Sequence, residues 1–450
     1  MIDERWLSVK KVLAIRLDNL GDVLVTTPAL HAIKTSLPGA QLTLLASPVG
    51  AQVARLNPDI DDVMVYEAPW MDPWHKLPQD SQREQQMIAA IRERQFDGAI
   101  IFTSYHQSPL PAAYLCYLAD IPLRVAASID GPGSLLTTRH KHPERMMHEV
   151  ERGLDLVGAI GLTTSNLDLV LQVPEKAQSQ LAQRLAAEGI DSRRPLVVVH
   201  PGCSMPARTY PWEMYAQVVN LLVEQLGVVV ALTGTKDEEA LVGQVLNQLQ
   251  PETRKAVYAF AGKLPFPEFC ALIEAADLTI TNNTGPMHIS AALKTPVVAL
   301  FALTNPPEQW GPWHVAYRQL YHDVSCRICY SRVCPYGHEC LRLVSPQMVV
   351  SAAGELIVQL VEVGMVWEEA ETLGSLTCED ITHVSLASKD HKEVLVSSSP
   401  RDSSSSSFPL HPHRHQFDDE SVISTSDPKP FPFNTEDSRV YGSLHMEAER

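Results

Sequence analysis

The stretch DLTITNNTGPMHISAALKTPVVALFA, residues 277–302, decides the fold of this chain. It begins with a short apolar run that ends in asparagines, and it finishes with a second apolar run, PVVALFA. Between the runs, Thr284 and Gly285 predict a turn, and GPMHISAALK predicts a helix. A buried strand, a helix and another buried strand in this order are typical of a parallel α/β sheet.

The same alternation extends outward in both directions along the chain. Apolar runs, separated by stretches long enough for helices, predict an α/β fold with two Rossmann-like series of strands. A chain of 450 residues that is 45% hydrophobic is too long for one ordinary core, so we expect two domains. The predicted strands cover 11–17, 42–47, 62–66, 97–102 and 123–128 in the first half, and 194–200, 228–234, 256–262, 277–282 and 296–302 in the second.

Composition suggests where the domains end. We place the N-terminal domain at 1–165 and the C-terminal domain at 166–362, with a polar, proline-containing linker near 165–175. After about residue 370 the sequence becomes acidic and rich in serine, so we predict a disordered tail over 370–450. The HPHRH segment inside this tail is expected to be solvated rather than to hold a metal.

Charge and hydropathy narrow the class of protein. The formal net charge of -17 argues against a nucleic-acid partner, because such partners are bound by basic surfaces. No basic stretch followed by an apolar segment begins the chain, and no apolar run approaches the roughly 20 residues that cross a bilayer. We therefore expect a cytoplasmic protein without a transmembrane segment, and loose association with a membrane surface stays open.

The first motif, RLDNLGDVLVTTPAL at 16–30, follows the first predicted strand. Ligands of open α/β sheets bind outside the carboxyl ends of the strands, which is where Gly21 and Asp22 are expected. Asp22 begins a helix there and can serve as a catalytic base, although an Asp at a helix start is most often a cap. The G-x-G-x-x-G fingerprint of dinucleotide-binding folds is absent from this stretch.

The second motif, HPGCSMPARTYPWEMY at 200–215, joins a predicted strand to a predicted helix. Its backbone N–H groups, the hydroxyl of Ser204 and the guanidinium of Arg208 suit a diphosphate. Taken by itself, the loop is better described as an ordinary βα connection with an arginine at the surface.

Two further motifs follow later strands of the second half. In TGTKDEEA at 233–240, Glu238 lies early in a helix, where a carboxylate can bind a ribose diol or remain a solvated first-turn acid. In NNTGPMH at 282–288, the unpaired N–H groups of the helix start are expected to point into the crevice, with Thr284 as a candidate cap. His288 taken alone is more often a core histidine than a ligand-binding one.

Together, the four motifs resemble glycosyltransferase family 9, the heptosyltransferase-like enzymes of lipopolysaccharide synthesis. The matching pieces are the GDVL segment with TTPAL, the HPG…RTYPW loop, the G-x-x-x-E segment and the NTGPMH turn. The resemblance covers about residues 10–362. It implies a GT-B fold, in which two Rossmann-like domains face a central cleft.

The resemblance also implies an inverting, metal-independent transfer that requires no cofactor. Asp22 matches the family's catalytic base, which takes the proton of the acceptor hydroxyl. The implied donor is a nucleotide-diphospho-sugar, typically ADP-heptose. The implied acceptor is a lipid-linked glycan at the cytoplasmic face of the inner membrane. The residues that match donor-binding positions are Ser204, Arg208, Glu238, Asn283, Thr284, Gly285 and His288.

Two positions depart from the family's pattern. Arg208 stands where a lysine is frequent, which keeps the charge but changes a point charge into a planar fork. Asn283 stands where characterised heptosyltransferases often carry Asp, which removes a negative charge near the nucleotide. Both differences leave the donor's identity open, while neither argues against the type of reaction.

A cysteine cluster lies outside the four motifs, with the spacing C-x2-C-x4-C-x5-C and a histidine inside it. Its members are Cys326, Cys329, Cys334, Cys340 and His338. Four thiolates, or three with the histidine, can make a tetrahedral zinc site. The spacings are short and irregular for a zinc ribbon, so we predict buried thiols that pack a loop near the cleft and assign no metal.

Two other classes of function remain as alternatives at this point. The first is an NAD-dependent oxidoreductase on paired Rossmann folds, against which the missing G-x-G-x-x-G counts. The second is a non-catalytic scaffold that binds a glycan or a metal and has kept the fold.

Overall fold

The computed structural model describes residues 1–71, 77–105, 107–190, 193–373 and 394–396. The predicted tail over 370–450 therefore lies outside the described residues, apart from 370–373 and 394–396. Within the described part of the chain, no helix has the length and apolar character needed to cross a membrane.

The first sheet contains six parallel strands in the order β3-β2-β1-β4-β5-β6. This is the strand order of dinucleotide-binding Rossmann folds. The order changes sense between β1 and β4, which leaves a crevice at the carboxyl ends of these two strands. The strands are β1 (Lys11–Arg16), β2 (Gln41–Ala46), β3 (Asp62–Val65), β4 (Gly98–Ile101), β5 (Leu123–Ala127) and β6 (Thr138–His140), and the helices are α1 (Leu20–Ser36), α2 (Gly50–Ala54), α3 (Ser81–Arg94), α4 (Leu110–Leu118) and α5 (Glu149–Gly158).

The second sheet repeats this order, with its reversal between two strands near its centre. Its strands are β7 (Leu196–His200), β8 (Val229–Leu232), β9 (Val257–Ala259), β10 (Leu278–Asn282), β11 (Val297–Leu300), β12 (Tyr317–Tyr321) and β13 (Val394–Val396). They are arranged β13-β12-β11-β10-β7-β8-β9, and all are parallel. The strand order therefore changes sense between β7 and β10. The helices are α6 (Glu175–Ala187), α7 (Trp212–Leu226), α8 (Glu239–Asn247), α9 (Pro251–Arg254), α10 (Phe266–Glu274), α11 (Gly285–Ala292), α12 (Pro307–Trp310), α13 (Glu339–Arg342) and α14 (Pro346–Leu373).

The central strands are buried on both faces, as expected for sheets covered by helices on each side. In β7 and β10 every residue is buried, including the polar Thr279 and Thr281. The predicted α/β class is confirmed, and each predicted strand matches an observed one. Three strands were not predicted: β6 and β13, whose three residues carry too weak a pattern, and β12, which is buried at only three of its five positions.

The segment predicted as a linker is packed rather than free. Leu169 and Val173 are buried, and the backbone N–H of Gln172 donates to the carbonyl of Leu56. The hydroxyl of Thr27 in α1 accepts from the N–H of Val170. The polar composition of the segment conceals these two apolar anchors, and the domain boundaries at 165 and 166 stay a prediction.

Candidate active site

A cleft lies where the carboxyl ends of the two sheets face each other. Its cavity has a volume of about 1010 Å³. The strand-order reversals place the segments after β1 and β4 on one wall and those after β7 and β10 on the other. All eight residues predicted to act on donor or acceptor line this single cavity: Asp22, Ser204, Arg208, Glu238, Asn283, Thr284, Gly285 and His288.

Asp22 lies in the first turn of α1 and is held by three donors. Its Oδ1 accepts from Arg16 Nη2 and from Ser104 Oγ, each at 3.0 Å, and its Oδ2 accepts from the N–H of Asn19 at 3.1 Å. The last contact is the capping interaction that the sequence favours. Only one carboxylate oxygen closes this cap, and the side chain is still 14% exposed toward the cleft, so capping and catalysis are compatible.

Arg16 is buried on the same wall of the cleft and contacts two aspartates there, Asp22 and Asp18. Its guanidinium is 2% exposed and also lies 3.1 Å from Asp18 through Nε. Burial raises the pKa of Asp18 to about 6, against the attraction of Arg16 and with the help of repulsion from Asp22. Two carboxylates therefore share one arginine beside the cleft, and the environment penalises the charge on Asp18.

The N-terminus of α11 meets the N-terminus of α1 across the cleft. A Cβ on Gly21 would lie 2.7 Å from Cδ2 of His288, and one on Gly285 would lie 3.1 Å from Leu20, so glycine is needed for this approach. His288 is 5% exposed and burial lowers its pKa to about 4, which keeps the imidazole neutral. At this helix start, Thr284 and Met287 already donate their N–H groups to the carbonyls of Asn282 and Thr284, and Pro286 has none. The cleft-lining Gly285 therefore offers the available N–H, beside the positive end of the helix dipole.

Arg208 ends a short 3-10 helix, Pro206–Arg208, on the opposite wall. Its Nε donates to Thr304 Oγ1 at 3.0 Å, which orients the guanidinium. Burial lowers the pKa of Arg208, while the charges of Cys203 and Asp22 oppose that shift. The guanidinium of Arg208, held in place near the start of α11, is well suited to bind an anionic group in the cavity.

Asn283 uses its amide inside the protein. Its Nδ2 donates to Asn305 Oδ1 at 3.0 Å, and its Oδ1 accepts from the N–H of Ala302 at 3.2 Å. Thr304 also donates to Asn305 Oδ1, at 3.3 Å, and so links Asn283 to the residue that orients Arg208. A carboxylate at 283 could not make the first of these bonds, which gives the departure from the family's pattern a physical reason.

Glu238 closes the far end of the cavity. Its Oε2 accepts from the N–H of Thr235 at 2.7 Å and lies 3.6 Å from His200 Nε2. A Cβ on Gly202 would lie 2.0 Å from Glu238 Oε1, so this glycine makes room for the carboxylate. The apolar wall beside it is formed by Phe260, Leu264, Phe266 and Phe269.

Sequence reasoning missed four residues that position the predicted ones. Arg16 and Ser104 hold Asp22, and Thr304 and Asn305 hold Arg208 and Asn283. A signal existed for Ser104, because it follows the strand that neighbours β1 once the Rossmann order is assumed. Asn305 could not be found this way, since its role depends on a loop beyond the end of β11.

The members of the cysteine cluster do not line the cleft, although Tyr330, next to Cys329, does. The four thiols are half-buried, so the expectation of buried thiols is wrong. In the part of the chain that the structure describes, its thiols do not form a group that could hold an ion, and His338 Nε2 lies 2.9 Å from the carbonyl of Ala207. Burial raises the pKa of Cys340. The assignment of no metal to this cluster stays a prediction.

Comparisons with known proteins agree with the fold. The model of glycosyltransferase family 9 (heptosyltransferase) matches residues 85–339, which is more than half of the chain. Lipopolysaccharide heptosyltransferase 3 of Escherichia coli K12 is 27% identical over 295 residues, covering 65% of this chain and 82% of that protein.

Two solved structures share the fold. The glycosyl transferase family 9 protein of Veillonella parvula superposes with a TM-score of 0.66 at 21% identity, covering 78% of this chain and 98% of that chain. The E. coli ADP-heptose LPS heptosyltransferase II superposes with a TM-score of 0.62 at 22% identity, covering 78% and 99%. The predicted GT-B arrangement is thereby confirmed.

Proposed function

Since this chain belongs to glycosyltransferase family 9, we propose that it transfers a heptose from ADP-heptose to a hydroxyl of a lipid-linked glycan, with inversion at the anomeric carbon. That the chain is a glycosyltransferase leaves the NAD-dependent oxidoreductase and the non-catalytic scaffold without support. The names of its relatives support a role in lipopolysaccharide synthesis. The location that we propose for this role is the cytoplasmic face of the inner membrane.

One observation carries the proposal: Asp22 faces Arg208 and the start of α11 across one cavity. In the transfer, an Asp22 oxygen takes the proton of the acceptor hydroxyl while that oxygen attacks the anomeric carbon. The bond from this carbon to the diphosphate breaks on the opposite side, and the leaving group keeps the electron pair. Arg208, the hydroxyl of Ser204 and the N–H of Gly285 stabilise the negative charge that develops there.

The rest of the donor fits the far end of the cavity. Glu238 is placed to accept hydrogen bonds from a ribose diol, and its link to Thr235 keeps the carboxylate in position. The wall that contains Phe266 and Phe269 supplies an apolar surface for a nucleobase. Asn283 uses its amide inside the protein and so does not identify the nucleobase or the sugar. The choice of ADP and heptose is based on the names of the relatives.

Exchange of Asp22 for Asn tests the proposal. The variant keeps the shape and the contact with Ser104 but cannot accept the proton, so we expect the turnover number to fall about 100- to 10 000-fold. Donor affinity should change little, because the donor contacts lie on the other wall. Turnover of ADP-heptose and a lipid-linked acceptor, with donor titrations, measures both.

Asp59→Asn provides the matched control. Asp59 is a carboxylate of the first half that pairs with His31, away from the cleft lining, and its loss should leave turnover unchanged. Thermal protection by ADP-, UDP- and GDP-sugars and by NAD identifies the donor's base independently. Full turnover in a well-folded Asp22→Asn variant would disprove the role of Asp22.

A further inference from the structure

Two histidines and an aspartate meet at the edge of the first sheet, apart from the lining of the cleft. His140 ends strand β6, His142 follows two residues later, and Asp155 lies in α5. His140 Nε2 is 2.6 Å from Asp155 Oδ2, and His142 Nδ1 is 2.7 Å from the same oxygen. The three atoms lie within 4.8 Å of one another. We call these three residues the edge cluster.

Local structure brings the edge cluster together. Side chains two residues apart in extended chain point to the same side, so His140 and His142 both face α5. Their rings meet edge to face, with centroids 5.1 Å apart. The exposed side-chain fractions are 19% for His140, 13% for His142 and 28% for Asp155, so the cluster is shielded but reachable from solvent.

Two imidazole nitrogens and one carboxylate oxygen are a ligand set of divalent transition metals, with further positions left for water. An ion at about 2.0–2.2 Å from each atom needs ligand atoms about 3.4 Å apart, so each imidazole nitrogen must draw back from Asp155 Oδ2 by less than about 1 Å, which side-chain rotations provide. Arg152, whose charge acts on His142, pairs with Glu149 at 3.1 Å and lies over the ring of Tyr105. The pairing with Glu149 reduces the repulsion that Arg152 would exert on a bound cation.

We propose that the edge cluster binds one divalent transition-metal ion and that this ion fastens β6 to α5. The proposal goes beyond the transfer reaction, in which the ion takes no part. It has a structural consequence for the active site, because α5 begins at Glu149, and Glu149 lines the same small cavity as Arg16, the residue that holds Asp22. A fixed α5 thus supports the buried arginine from behind.

The chain contains two competing sets of metal ligands, and the experiment must separate them. One is the cysteine cluster at 326–340, and the other is the HPHRH segment at 411–415. Variants Cys326→Ser with Cys329→Ser, and His413→Gln with His415→Gln, remove them in turn. A matched control for the edge cluster is His31→Gln, because His31 also pairs with an aspartate but belongs to no three-ligand group among the described residues.

The test uses the full chain, prepared without an affinity tag, stripped by a chelator and titrated with Zn²⁺ by calorimetry. We expect one ion per chain in the wild type and in all three control proteins, and loss of that ion in Asp155→Asn and in His142→Gln. Zn²⁺ should raise the melting temperature of the wild type but not of Asp155→Asn. Circular dichroism of the stripped variants establishes that they are folded.

Co²⁺ distinguishes the ligands by spectroscopy. Binding at the edge cluster gives a complex without the thiolate charge-transfer absorption that the cysteine cluster would produce. The proposal is overturned if the wild type takes up no ion, if Asp155→Asn retains it, or if only the cysteine variant loses it.

Discussion

Exchange of Gly202 for Ala probes Glu238 without altering its chemistry. The new Cβ would lie 2.0 Å from Oε1 and 2.1 Å from Cδ of Glu238, so the carboxylate must move. Because the clash involves the end of a flexible side chain, the fold should lose little. Loss of the cap to Thr235 costs about 1 kcal/mol.

The effect on the nucleotide should be larger. A hydrogen bond from a ribose hydroxyl to a carboxylate contributes about 1.5–3 kcal/mol, so the dissociation constant of ADP should rise about 10- to 100-fold. Calorimetric titration of ADP measures this constant, and the melting temperature measures the fold. Glu238→Gln should weaken ADP as well, since it replaces the acceptor without a steric clash.

Gly243→Ala is the matched control for the glycine exchange. A Cβ there meets nothing within 4 Å, and alanine stabilises a helix interior by about 0.5–1 kcal/mol, so ADP affinity should not change. Unchanged ADP affinity in Gly202→Ala would refute the reasoning, because it would mean that displacing Glu238 costs the nucleotide nothing.

The remaining predictions concern two buried polar groups. The pKa of His288 falls from 6.5 to about 4 on folding, so protonation of the unfolded chain destabilises the fold as the pH drops through that window, by up to about 3 kcal/mol. His288→Gln should flatten this part of a pH series of chemical denaturations, and a slope like the wild type's would contradict it. Asn283→Asp should lower the melting temperature, because it brings a carboxylate oxygen against Asn305 Oδ1 and loses a buried hydrogen bond worth about 1–3 kcal/mol. A melting temperature that is unchanged at neutral pH would show that Asn305 turns to compensate.

The sequence alone contains most of the fold, for a physical reason. Parallel strands buried on both faces, such as 196–200 and 278–282, are uninterrupted apolar runs that stand out from their surroundings. Short or half-exposed strands lack that contrast, which is why 138–140 went unpredicted. The packing of the linker at 165–175 was missed because two apolar residues, Leu169 and Val173, are enough to anchor it.

The site divides in the same way. Residues that begin helices after strands, such as Asp22 and Thr284, follow from chain order and the Rossmann rule. The partners that orient them come from other strands or from loops, and only the three-dimensional arrangement assigns Ser104 to Asp22 or Asn305 to Asn283. The edge cluster belongs to the second kind, because 15 residues of chain separate His140 from Asp155.

The contact between Gly21 and His288 sets a limit on how closely the two walls approach. A single methyl group at residue 21 would come 2.7 Å from the buried imidazole of His288, so the two walls can approach this closely only with glycine at this position. Bulkier residues there would press on His288, one of the residues expected to bind the donor, and would hold the two walls apart. The absence of a side chain at residue 21 therefore sets the width of the cleft at this point, and we expect its variants to weaken donor binding by displacing His288.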